Sequence, residues 1–164
     1  MHIYIIIGPS GVGKTTIGTL LSRRLNLPFY DADDFHPENN INKMKAGIPL
    51  CDEDRFPWLN TLSDSIKKWH TGTGAVVACS ALKEKYRRQL MSIPDKYTTW
   101  IYLRGNESLI RGRLANRKRH FFNKELLSSQ YSELEVPEYG CHIDVNKGPQ
   151  DVVDEILECI NKKK

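Results

Sequence analysis

The chain has 164 residues, 40% hydrophobic and 27% charged, with 24 basic and 20 acidic side chains and a formal charge of +4. This length suits one compact domain, residues 1–164, and leaves no room for a second. The basic excess, part of it in Lys162-Lys163-Lys164, lacks the interleaved aromatics of a nucleic-acid stripe and fits a protein handling anionic small molecules.

The amino terminus enters a strand-like run at once, leaving no signal peptide, and Ile-Tyr-Ile-Ile-Ile at 3–7 is far too short to span a bilayer. Directly after it stands Gly8-Pro9-Ser10-Gly11-Val12-Gly13-Lys14-Thr15, with Thr16 following. This is a complete phosphate-binding loop between a strand and a helix. Its glycines let backbone N–H groups curl around phosphate oxygens. Lys14 reaches the β/γ-phosphates and Thr15 offers a hydroxyl to Mg²⁺. Ile17, Leu20, Leu21 and Leu25 then give the stripe of a helix packed on a sheet. A second strand is expected at 28–31 and a helix at 57–70, with Trp58, Leu59, Leu62, Ile66 and Trp69 on one side. Gly72 and Gly74 break the chain before a third strand at 75–79. A fourth follows at 99–103, a fifth at 141–145, and a last helix carries Val152, Val153, Ile156, Leu157 and Ile160. Strands alternating with helices predict a parallel sheet wrapped on both sides. Segments 33–57 and 117–138 resist the regular pattern, and long irregular segments in a compact domain are usually functional. The four cysteines, Cys51, Cys79, Cys141 and Cys159, show no C-x-x-C spacing, so free thiols in a reducing, cytoplasmic setting are expected.

Asp31, Asp33 and Asp34 follow the second strand, at the carboxyl end where ligands bind beside the phosphate loop. A kinase acting on an alcohol needs an acceptor for the hydroxyl proton and help in holding Mg²⁺. Asp34 suits the duller part of helix cap and solvated turn. The third strand ends in Cys79-Ser80-Ala81-Leu82-Lys83 without the Mg²⁺-linked aspartate of motor ATPases and GTPases, and Asn146-Lys147-Gly148 lacks the aspartate of a guanine-recognition motif. A nucleotide-binding switch or assembly ATPase is therefore the weaker alternative. Arg111, Arg113, Arg117, Lys118, Arg119 and His120 form a basic run, in which Arg117 lies where a mobile lid would begin and could meet charge developing on the γ-oxygens. The polar segment 36–59 suits a small polyhydroxylated acid, with amides and carboxylates for hydroxyls and Lys or Arg for a carboxylate.

Across most of its length the chain closely resembles the small, shikimate-kinase-like gluconokinases. The resemblance rests on residues 8–15, on Asp31-Ala32-Asp33-Asp34-Phe35-His36-Pro37 with Asn40 and Lys43-Met44, and on Gly47-Ile48-Pro49-Leu50 running on to Asp52, Asp54-Arg55 and Pro57-Trp58-Leu59. It continues in Cys79-Ser80-Ala81-Leu82-Lys83 with Tyr86-Arg87, and in His120-Phe121-Phe122, Leu126-Leu127, Ser129-Gln130 and Leu134-Glu135. The resemblance implies a three-layer α/β/α P-loop kinase fold with a five-stranded parallel sheet and a mobile lid. It implies transfer of phosphate from ATP, with Mg²⁺, to D-gluconate. Asp33 would serve as base or orienter, Asp31 would position metal-bound water, and Arg55 would bind the acceptor carboxylate near His36, Lys43 and Lys83. Arg113 would lie against adenine or phosphate, Arg117 would belong to the lid, and a homodimer is suggested. Arg119 stands where these enzymes usually have Gly, and the stretch between Glu135 and Asp144 is shorter than usual. A related hydroxy-acid kinase, such as one for shikimate, is the nearer alternative, although Cys79 to Lys83 replaces the glycine-rich substrate loop expected of it.

Lys14→Ala is expected to nearly abolish turnover, since the transition state loses a fixed cation beside the β/γ-oxygens. A near-normal kcat in that variant would refute the assignment.

Overall fold

The computed structural model describes residues 1–116 and 124–162. In chain order the elements are β1 (Ile3–Ile7), α1 (Lys14–Leu25), β2 (Phe29–Asp31), α2 (Glu38–Lys45), α3 (Asp52–Thr71), β3 (Ala75–Ala78), α4 (Glu84–Leu90), β4 (Thr98–Arg104), α5 (Glu107–Ala115), α6 (Lys124–Glu133), β5 (Cys141–Asp144) and α7 (Pro149–Lys162). All strand pairs are parallel, in the order β2-β3-β1-β4-β5. Every residue of β1 is buried, because helices cover both faces of the sheet. Tyr4 and Ile6 pack with Ile17 and Leu21 of α1 and Val153 and Ile156 of α7. Ile3, Ile5 and Ile7 point the other way, onto Leu59, Leu62 and Ile66 of α3. The expected α/β/α architecture with five parallel strands is therefore present. Since β1 lies between β3 and β4, connections leave it in opposite directions, which opens a crevice at its carboxyl end.

Three expectations need correction. Segment 33–57 is largely helical: α2 lies within it, and α3 begins at Asp52, not at Pro57. Asp54 accepts from the Cys51 backbone N–H at 3.0 Å, and three acids in the first turn complement the helix dipole. Burial of Trp58, Leu59, Leu62 and Ile66 further along outweighs the internal proline. Within 117–138, residues Lys124–Glu133 form α6. Cysteine chemistry also departs from expectation. Cys141 and Cys159 form a disulfide joining β5 to α7, with Cα atoms 6.1 Å apart, while Cys51 and Cys79 are free.

Arg87 of α4, 1% exposed, binds together the loops that flank the crevice. Its guanidinium donates to the Ala81 and Leu82 carbonyls at 2.9 and 3.1 Å, and to the Glu135 carbonyl at 2.8 Å. The Nε–H donates to Glu84 and to the Tyr139 hydroxyl. The segment after α6 is thus anchored to the loop after β3. Arg87→Ala takes the guanidinium from the Ala81 and Glu135 carbonyls, while the Leu82 carbonyl keeps the Glu135 N–H at 2.9 Å, so a loss of about 2 kcal/mol or more is expected in urea unfolding. A loss below about 1 kcal/mol would show that these loops are held by other means.

Candidate active site

The turn after β1 requires positive φ at Gly11 (82°) and Gly13 (99°). Gly13 opens directly into α1, whose first turn has no acidic side chain to compete for an anion. A cradle of backbone N–H groups at a helix start results. Lys14 Nζ spans the loop, donating to the Gly8 and Pro9 carbonyls, both at 3.0 Å. Desolvation lowers the Lys14 pKa, while the charges of Asp33, Cys79 and Asp31 act to raise it. The loop is braced from α6, where Gln130 accepts from Ser10 N–H at 2.7 Å and donates to Ser10 Oγ at 3.0 Å.

Asp31 ends β2 facing the loop. Thr15 Oγ1 donates to its Oδ2 at 2.7 Å, and its Oδ1 accepts from Asp33 N–H at 3.1 Å. Asp31, not Asp34, therefore caps the short 3-10 turn Ala32–Phe35, because a carboxylate at the strand end reaches an amide two residues on. The Asp33 carboxyl opens into the crevice, with 76% of its side chain exposed. Partial desolvation, followed by the neighbouring charge of Asp31, still raises its pKa against the opposing pull of Lys14.

Ser10, Lys14, Asp33, His36, Arg55 and Glu133 meet around a cavity of about 180 Å³. His36 stacks on Trp58 with ring centroids 4.1 Å apart, and the indole N–H donates to the Ala32 carbonyl. Buried Asn40 directs one amide hydrogen to His36 Nδ1 (3.2 Å) and the other to the Asp54 carbonyl (2.9 Å). This leaves the proton of neutral His36 on Nε2, which lies 3.9 Å from Asp33 Oδ1. Burial, then the charge of Arg55, lowers the His36 pKa to about 4. Arg55 Nη1 donates to the Tyr86 hydroxyl at 2.9 Å, which donates on to Asp52 at 2.6 Å. The guanidinium also lies 5.1 Å from the Tyr86 ring centroid, so the ring supports the cation by its face.

The other expected site residues are dispersed. Lys83 is outside the cavity lining, its ammonium 4.0 Å from Glu133, which belongs to that lining. Lys43 does not line the cavity; its ammonium contacts both Asp54 oxygens, at 2.7 and 2.8 Å. Arg113 lines a separate cleft of about 290 Å³ with Gly11, Gly13, Thr16 and Lys147, and donates to the Val145 carbonyl at 2.5 Å. Arg117, the expected lid arginine, lies outside the described residues, as do Arg119 and His120. Arg111 is held by Glu107 of its own helix and by Ser128 of α6. Sequence reasoning assigned no part to Asn40, Tyr86, Gln130 or Glu133. The first three stand in the blocks that carry the family resemblance, whereas Glu133 is marked only by its spacing, one turn after Gln130. A larger cavity of about 460 Å³, walled by Met91, Thr98, Trp100 and Tyr139, contains no residue of the phosphate loop.

A phosphate loop at the switch point of a parallel sheet, facing a cavity with acids and cations, defines a P-loop kinase. The family model described as shikimate kinase matches residues 10–161. A probable gluconokinase of Dictyostelium discoideum is 43% identical over 168 residues, covering 94% of this chain and 84% of that protein. The thermoresistant gluconokinase of Escherichia coli K12 is 36% identical, covering 99% and 95%. The crystal structure of a gluconokinase from Sinorhizobium meliloti 1021 superposes with a TM-score of 0.91 at 33% identity, covering 99% and 93%. The chain belongs to the gluconokinases of the shikimate kinase family.

The neutral, buried His36 has a consequence for stability. Its folded pKa of about 4 lies below the ordinary value of 6.5. The unfolded chain therefore takes up the proton first, and stability present above pH 6.5 is lost as pH falls towards 4. Between pH 7 and 4.5 the wild type should lose on the order of 2 kcal/mol more than His36→Gln in urea unfolding. Equal losses in the two proteins would remove His36 as the cause.

Proposed function

We propose that this chain transfers the γ-phosphoryl group of ATP to D-gluconate, forming 6-phospho-D-gluconate by direct in-line displacement. The supporting observation is that Lys14, Asp33 and Arg55 meet around one cavity beside the phosphate loop. Phosphoryl transfer asks a protein chiefly for position and electrostatic stabilisation. Residues 8–16 hold the nucleotide phosphates, and Lys14 neutralises charge that grows on the transferred group. Asp33 orients the attacking hydroxyl and accepts its proton; a raised pKa makes its carboxylate a better base. His36 offers its Nε2–H to the acceptor or to Asp33. Arg55, with Lys83 near it across Glu133, receives the acceptor carboxylate, while Lys43 acts at one remove, holding Asp54, whose backbone carbonyl accepts from the Asn40 that orients His36. Arg113 borders the adenine side.

The hydroxyl of Thr15 and the carboxylate of Asp31 form a hard oxygen set beside the loop, suited to Mg²⁺ that keeps several waters and shares phosphate oxygens. When bound, the ion would neutralise phosphate charge. In this reading 1–164 is one kinase domain, 33–59 its acceptor region and 117–138 its lid, with Arg117 meeting the transferred phosphate on closure. The reading extends to a cytoplasmic homodimer. Among the described residues no helix is long and apolar enough to cross a membrane.

Coupled ADP release, screened over gluconate, shikimate and related sugar acids, tests the assignment. Gluconate should stimulate ADP release strongly; the same rate without an acceptor would indicate an ATPase, and stimulation by shikimate alone a different acceptor. Arg55→Ala should raise KM for gluconate at least tenfold, leaving KM for ATP within about twofold, as expected from loss of a charge-assisted contact. Equal effects on both would place Arg55 outside the acceptor site.

A further inference from the structure

Among the described residues, Glu133 is a charged side chain of the acceptor cavity to which the proposed chemistry gives no part. One of its carboxylate oxygens lies 3.8 Å from Arg55 Nη1 and the other 4.0 Å from Lys83 Nζ. These are ion-pair separations but too long for hydrogen bonds. The side chains are partly buried, Arg55 at 19% exposed, Lys83 at 26% and Glu133 at 32%. Their attraction is therefore less screened than on an open surface, yet water still reaches them.

The placement of Glu133 follows from the helix that carries it. Three residues earlier on α6, Gln130 is fastened to both the backbone and the hydroxyl of Ser10. Residues three apart share a helix face, so the contact that braces the donor loop also aims Glu133 at the acceptor cations. One carboxylate facing an arginine and a lysine is the arrangement that an acceptor carboxylate would itself require. The loose distances make the internal contact displaceable, unlike a bidentate, hydrogen-bonded pair.

We infer that Glu133 sets acceptor affinity: its carboxylate is an internal counter-ion of the Arg55–Lys83 pair, and the carboxylate of the incoming acceptor must displace it. The inference rests on the proposed role of Arg55. It also accounts for an apparent contradiction, an acid placed in a cavity meant for an acid. Without Glu133 two cations, Arg55 in the cavity and Lys83 beside it, would lose the carboxylate they share and stand open to any small anion. With it, the cations are held close until a carboxylate attached to a polyhydroxyl chain offers enough additional contacts to exchange.

Steady-state ADP release at saturating ATP, with gluconate varied, tests this in the wild type, Glu133→Gln and Glu133→Ala. Both variants should lower KM for gluconate about three- to tenfold, the range expected for losing one or two partly screened ion pairs. KM for ATP should stay within about twofold, which a general disturbance of α6 and the phosphate loop would not respect. In an Arg55→Ala background the gain should shrink, because the competed cation is gone. A rise in KM for gluconate would overturn the inference and make Glu133 a partner of acceptor hydroxyls. An unchanged KM in both variants would overturn it as well, while leaving gluconate phosphorylation intact. A wild type that releases no gluconate-dependent ADP would refute both the inference and the reading on which it rests.

Discussion

The five apolar residues of β1 have to be buried on both faces at once, and the rest of the architecture follows from that requirement. Tyr4 and Ile6 call for α1 and α7 on one side, while Ile3, Ile5 and Ile7 call for α3 on the other. Such a strand can only be central. With β3 on one edge and β4 on the other, the backbone leaving β1 emerges in a crevice and not on a covered surface. There the glycines turn it sharply into α1, and amide hydrogens that would otherwise lack partners become an anion site. Burial of apolar surface at one end of the strand thus produces an electrostatic device at the other.

Around that device charge is arranged in alternation. Lys14 faces Asp33 and Asp31, Arg55 faces Glu133, and His36 between them is kept neutral by burial and by the nearby guanidinium. The supports are as specific as the charges. Asn40 sets the tautomer of His36, Tyr86 links Arg55 to Asp52, and Gln130 ties α6 to the phosphate loop. Orienting groups of this kind hold reacting partners in place before phosphate moves. Arg87 performs the corresponding structural task, with four hydrogen bonds that join the loop after β3 to the segment after α6.

Local pattern was enough for the strands and for the phosphate loop, because both are written in consecutive residues. It was not enough for 33–57. Pro57 looked like a first helical position, but the helix starts five residues earlier, where Asp54 closes back on Cys51. The polar residues of α2 hide a helix whose stability comes from Asn40 and Lys43 meeting the start of α3. Asp31, and not Asp34, proved to be the cap, since capping depends on where the strand stops. Cys141 and Cys159 gave no motif, and only the packing of α7 on β5 brings their Cα atoms within 6.1 Å. In the site, Lys14, Asp33, His36 and Arg55 were all legible from motif and resemblance. Lys43 was legible as a residue but not as a partner of Asp54, and Glu133 carried no signal apart from its spacing.

By itself the amino-acid sequence determined the donor side of this kinase, a phosphate loop between strand and helix, because nine consecutive residues and their flanks contain the whole device. Its resemblance to the gluconokinases supplied the nature of the acceptor. Only the tertiary structure decided which charged side chains gather beside the phosphate loop. Asp33 with His36, Arg55, Lys83 and Glu133 come from four separate places in the chain, and charges act on one another across space. Whether a lysine is paired, a histidine neutral or a carboxylate opposed to two cations depends on distances and burial that no local pattern contains.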